Sequence, residues 1–78
     1  MRPTNEYLDF REWQPADRKT MVVGVWSVQG GNLLGAIKWF GRWRQYAFYP
    51  EPETIWNTGC LETVQAYIDD LMAERRIA

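Results

Sequence analysis

"LLGAIKWFGRWRQYAFY", residues 33–49, decides the fold. Two apolar and aromatic runs, LLGAIKWF and WRQYAFY, flank the dipeptide Gly41-Arg42, and a two-residue loop with Gly first suits a type II′ hairpin. A loop of that length sets Phe40 opposite Trp43, Trp39 opposite Arg44, Lys38 opposite Gln45, Ile37 opposite Tyr46, Ala36 opposite Ala47 and Gly35 opposite Phe48. Side chains alternate between the two faces of a strand. One face therefore holds Ile37, Trp39, Tyr46 and Phe48, with Arg44 near the turn. The other holds Ala36, Lys38, Phe40, Trp43, Gln45, Ala47 and Tyr49. The first reads as core. The second mixes polar groups with aromatics, as expected of a face open to water or to a partner.

Upstream, MVVGVWSV (21–28) is rich in β-branched residues and short enough for a strand, and QGGN (29–32) reads as a turn. Downstream, two prolines in PEPE (50–53) end the last strand, and Thr58 or Asn57 can cap a helix from about Gly59 to Arg76. At ~100° per residue, Cys60, Leu61, Val64, Tyr67, Ile68, Leu71 and Met72 fall within one stripe, which must be buried. The class predicted is α+β, a three-stranded antiparallel meander packed on one C-terminal amphipathic helix, with residues 21–78 forming a single βββα domain. Residues 1–20 stand apart. Tyr7, Phe10 and Trp13 are three apart, and Thr4 after Pro3 can cap a short helix, so this segment is either a docked helix or an arm that orders on a partner.

At 78 residues there is room for one domain, and a chain this short buries only about 60% of its unfolded surface. Five Trp, four Tyr and three Phe partly offset the small core. Net charge is −1, so no global positive field draws in nucleic acid, whose binding rests largely on neutralised phosphates. The charge is unevenly spread: Lys38, Arg42 and Arg44 have no acid among residues 38–44, whereas residues 51–78 carry six acids against Arg75 and Arg76. Cys60 is the single cysteine and there is no histidine, which excludes an internal disulfide and the usual zinc sites and suggests a reducing interior. No apolar run approaches the ~20 residues of a membrane span, and MRPTNEYLDFRE lacks the apolar stretch of a secretion signal. The expectation is a cytoplasmic protein with no membrane partner and no cofactor.

Lys38, Phe40, Arg42, Trp43 and Gln45 are the candidate partner-binding residues, since aromatics beside cations stack on bases or anchor protein interfaces. The competing explanation is a cross-strand aromatic cluster covered by Trp13, Phe10 or Tyr7. Arg44 opposite Trp39 suits a structural cation–π contact. Cys60, on the apolar stripe and without a histidine base, reads as a small buried filler rather than a nucleophile. Glu51 and Glu53 read as loop charges, and QGG is too short for a phosphate-binding fingerprint. With no catalytic constellation, the protein is not expected to be an enzyme.

The run GAIKWFGRWRQYAFYPEPETIWNTGCLETVQAYIDDL, residues 35–71, resembles small bacterial and phage proteins with a G-x-I-x-W-x-x-x-W-R-x-Y-x-F-x-P pattern and a Cys-Leu helix start. Here those positions are Gly35, Ile37, Trp39, Trp43, Arg44, Tyr46, Phe48, Pro50, Cys60 and Leu61. The resemblance implies a phage or mobile-element context and carries no established activity. A looser likeness is to three-strand-plus-helix DNA-binding domains of the integrase and plant AP2 types, whose strands are strongly basic where this face offers chiefly Lys38 and Arg42. The function expected is a small interaction module, a modulator binding a host protein through the sheet face away from the helix. Nucleic-acid binding through the same face is the alternative, and homodimerisation by strand or sheet pairing the third.

Overall fold

Leu8–Trp13, LDFREW, alternate apolar Leu8 and Phe10 with charged Asp9 and Arg11, the period of a strand with one buried face. A computed structural model, which describes residues 2–77, shows them as a strand, β1. Asn5 starts it: its side-chain oxygen accepts the backbone N–H of Tyr7 (2.9 Å) and of Leu8 (3.0 Å), a local bond that competes with helix formation. Leu8–Trp13 are thus a paired strand rather than part of a free arm or a docked helix. The i, i+3 spacing of Tyr7, Phe10 and Trp13 is incidental, because Phe10 points to the core and Trp13 to the opposite side.

The expected three-stranded meander is corrected to four antiparallel strands in the order β1-β2-β3-β4. They are β1, β2 (Val22–Ser27), β3 (Leu33–Phe40) and β4 (Gln45–Pro50), followed by helix α1 (Thr58–Ile77). β1 pairs with β2 along its whole length, from Leu8↔Ser27 to Trp13↔Val22. β2 and β3 are joined through Gly31, the only glycine at positive φ (70°) among the described residues, and their register slips between Val25 and Trp26. No helix among the described residues is long and apolar enough to cross a membrane.

The β3–β4 turn has four residues, not two. Phe40 pairs with Gln45, Trp39 with Tyr46, Lys38 with Ala47 and Ile37 with Phe48. The turn is closed by Trp43 N–H to Phe40 O and Arg44 N–H to Gly41 O, both 3.2 Å, and its left-handed residue is Arg44 (φ 54°) rather than Gly41. The register therefore differs by two residues from the one a Gly-first loop imposes. A slip of two leaves every side chain on its own face. Ile37, Trp39, Tyr46 and Phe48 accordingly lie on the helix side, Ile37 and Tyr46 buried.

The core gathers Leu8, Val23, Val25, Ile37 and Tyr46 from the sheet against Cys60, Val64, Tyr67 and Leu71 of α1. Phe10 stacks on Tyr67 at 4.4 Å between ring centroids, and Phe48 meets Trp56 edge-on at 4.7 Å. Leu61 is the exception to the stripe, 48% exposed at its margin. Asn57 caps the helix, accepting the Cys60 N–H at 2.8 Å. At the rim, the Arg2 guanidinium bonds Glu12 (2.8 Å), Asp70 (2.6 Å) and Glu74 (2.9 Å), while the Tyr67 hydroxyl donates to Glu12. This knot joins residue 2, β1 and α1. Burial acts to raise the Glu12 carboxyl, but the bonds from Tyr67 and Arg2 prevail and hold it below its ordinary value. Burial, reinforced by Glu12, pushes the Tyr67 hydroxyl well above its ordinary 10.

Candidate binding face

With α1 on one side, the sheet's other side is left open, and its pavement follows from the register. One row runs Arg11, Gly24, Ala36, Tyr49 across all four strands, and the neighbouring pair is Lys38 with Ala47. The middle of the face is therefore made of small residues, Gly24, Ala36 and Ala47, and larger rings stand around it. The Trp26 indole lies over Gly24, so closely that a Cβ there would sit 2.7 Å from Trp26 Nε1 and 3.3 Å from the Trp13 ring. Trp13 pairs with Val22, which is buried although it belongs to this side of the sheet. Arg11 sits over Trp26 at 5.4 Å and is also bonded to Asp9 at 2.9 Å.

Towards the β3–β4 turn the face becomes more open. Phe40 meets Trp43 edge-on at 4.7 Å, an attractive geometry for two rings, and Trp43 remains 63% exposed. Phe40, Trp43, Ala47, Phe48 and Tyr49 surround a shallow hollow of about 180 Å³. The Lys38 ammonium lies 4.8 Å from the centre of the Tyr49 ring. Of the five residues singled out in the sequence, Phe40, Trp43 and Gln45 come together at the turn, Lys38 lies one step inward, and Arg42 is exposed in the turn itself. The cover envisaged for Phe40 and Trp43 is not formed by Phe10, which stacks on Tyr67 beneath the helix. Trp13, Trp26 and Arg11 belong to the same face; Arg11 was missed because β1 was, and the alternation of Leu8, Asp9, Phe10 and Arg11 is the signal that reveals it.

The expected Arg44–Trp39 contact is corrected, and Cys60 is buried as expected. The cation over Trp39 is Arg75, from the last turn of α1, at 4.1 Å; Arg44 is in the turn. Cys60 is buried, with Asn5 donating to neighbouring Thr63 at 3.0 Å. The charges are segregated by topology. Among the described residues, the end of the sheet with the β1–β2 connection, the β3–β4 turn and the helix C-terminus carries Arg18, Lys19, Arg42, Arg44 and Arg75 beside Glu12, Asp17 and Glu74, and the opposite end carries Glu6, Glu51, Glu53 and Glu62.

Over 73 residues the chain is 36% identical to the "Uncharacterized 9.3 kDa protein" of Acholeplasma phage L2, a match that spans 94% of each. The chain belongs to this family of small phage proteins. No family model matches it, and no solved structure matches it. The four-stranded sheet departs from the three-strand DNA-binding domains to which the sequence bears a looser likeness. In this phage family member the open face gathers the exposed Trp13, Trp43 and Tyr49 rings.

Proposed function

We propose that this phage protein is a non-enzymatic interaction module that modulates a host protein by docking it on the open sheet face. The observation that carries this reading is Trp43, 63% exposed beside Phe40 and an apolar hollow. Large rings set in a partly apolar pocket and ringed by cations are the usual anchors of protein interfaces. The face offers surfaces for contact rather than a nucleophile with its base. The G-x-I-x-W to Y-x-F run serves the fold on this reading, since Gly35, Ile37, Trp39, Tyr46 and Phe48 lie on the helix side. The free thiol of Cys60 accords with action in the host cytoplasm.

Affinity capture from host extract with nuclease present, identification of the retained protein, and calorimetry with the purified pair test the proposal. Trp43→Ala should weaken that affinity by roughly 30-fold, about 2 kcal/mol, with the circular dichroism unchanged. Equal affinity of the parent and the Trp43→Ala and Trp26→Ala variants rules the face out.

A second reading, single-stranded nucleic acid on the same rings, is favoured by the five cations at one end of the sheet. Protein is preferred because the cations on the face are already engaged, Lys38 over Tyr49 and Arg11 with Asp9 and Trp26. Salt separates the two, because binding to a single strand should lose affinity with a slope of about 0.7 per phosphate contacted.

A further inference from the structure

We propose that the hollow between the β1–β2 connection and the last turn of α1 is a binding site for a phosphate ester. It is an open hollow of about 460 Å³ lined by Arg18, Lys19, Thr20, Trp39 and Arg75, with no carboxylate in its walls among the described residues. Its size lies within the ~300–1,000 Å³ typical of small-molecule sites. Three cations from two distant parts of the chain meet here. Like charges brought together repel, and a bound anion relieves that repulsion.

Both guanidinium groups are placed by contacts with Trp39. Arg75 lies over the Trp39 ring at 4.1 Å and stands at the C-terminal end of α1, where the helix dipole favours positive charge. Arg18 donates to the Trp39 carbonyl at 3.4 Å. The connection that carries Arg18, Lys19 and Thr20 is held by the Gln14 side-chain amide, which donates to the carbonyls of Arg18 (2.6 Å), Thr20 (3.3 Å) and Pro15 (3.5 Å). Such fixing reduces the entropy lost on binding. Glu74, which lines the adjoining hollow beside Lys19 and Arg75, is bonded by Arg2, and Asp17 is exposed on the connection.

Two guanidinium forks, an ammonium and a hydroxyl offer more donors than a carboxylate can accept, and they suit the non-bridging oxygens and negative charge of a phosphate ester. Trp39 belongs to the helix side of the sheet, so the site is separate from the open face and does not depend on what docks there.

The test is a titration of the full-length, ¹⁵N-labelled protein with inorganic pyrophosphate at constant ionic strength. Saturable shifts are expected at the Trp39 indole N–H and the amides of Arg18, Lys19 and Thr20. Arg75→Gln should weaken binding at least tenfold, and Arg42→Gln should leave it unchanged. Because Arg75 also packs on Trp39, Lys19→Gln is the second variant, and it should weaken binding several-fold with the spectrum otherwise intact. Shifts that do not saturate, or that ignore both hollow variants, overturn the site. ADP and a short thymidylate oligomer distinguish the sources of the phosphate. Displacement of pyrophosphate by the oligomer assigns a nucleic-acid backbone, and displacement by ADP alone a free nucleotide. Displacement by neither overturns the phosphate-ester assignment.

Discussion

Phe10 of β1 stacks nearly parallel on Tyr67 of α1, 4.4 Å between ring centroids and 11° between planes. The contact makes the first strand part of the core rather than an appendage. Phe10→Ala should therefore cost about 3 kcal/mol, measured by urea unfolding. Trp13→Ala, three residues on and facing outward, should cost distinctly less. Equal and negligible effects would show that β1 is not packed as described.

The β3–β4 turn can be tested by exchanging its special residue. Gly41 has no positive φ and a Cβ there would find nothing closer than 3.9 Å, so Gly41→Ala should change stability by no more than about 0.5 kcal/mol. Arg44 holds the left-handed conformation, and Arg44→Gly should stabilise by up to about 1 kcal/mol. A two-residue type II′ loop demands the reverse at Gly41. Thermal melts of the two variants decide between them.

Gly35 gives a contrasting case. A Cβ at this position would lie 2.7 Å from the Phe48 ring and 2.9 Å from the Tyr49 carbonyl, and backbone cannot simply swing aside. Gly35→Ala should destabilise by about 1–3 kcal/mol, the usual cost of overpacking, and lower the melting temperature accordingly.

Acid should loosen the knot around Arg2. Glu12 has its carboxyl below the ordinary 4.5, so its contribution is present in full above that value and is lost as pH falls through the lower, folded one. Glu12→Gln should cost about 1 kcal/mol at neutral pH, discounted for partial exposure, and the difference from the parent should vanish in acid. Unfolding free energies at neutral pH and near pH 3 check both statements. A constant difference across that range would place the effect elsewhere than in the Glu12 charge.

Much of the helix-facing half was legible in the residues. Alternation put Ile37, Trp39, Tyr46 and Phe48 on one side, and the helical stripe found Cys60, Val64, Tyr67 and Leu71. The first strand was harder because its third inward position is Glu12, a carboxylate that local pattern assigns to solvent. Its partners, Tyr67 and Arg2, come from other parts of the chain. Gly41 drew the turn to itself by glycine's usual preference, although Arg44 adopts the unusual backbone angle. On the open face, Lys38, Phe40, Trp43 and Gln45 could be read from one hairpin, but Arg11 required the missing strand. The basic hollow joins Arg18 and Lys19 to Arg75, and only the folded chain brings them together.

The antiparallel pairing of β3 with β4 has a consequence for how the family can diverge. Insertions or deletions in the connecting bend preserve the inner and outer pavements when they come in pairs, because the pleat repeats every second residue. A single inserted residue would turn Tyr46 and Phe48 out to solvent and bring Gln45 and Ala47 under the helix, so relatives should differ there by even steps or offset an odd one with a bulge further along β4.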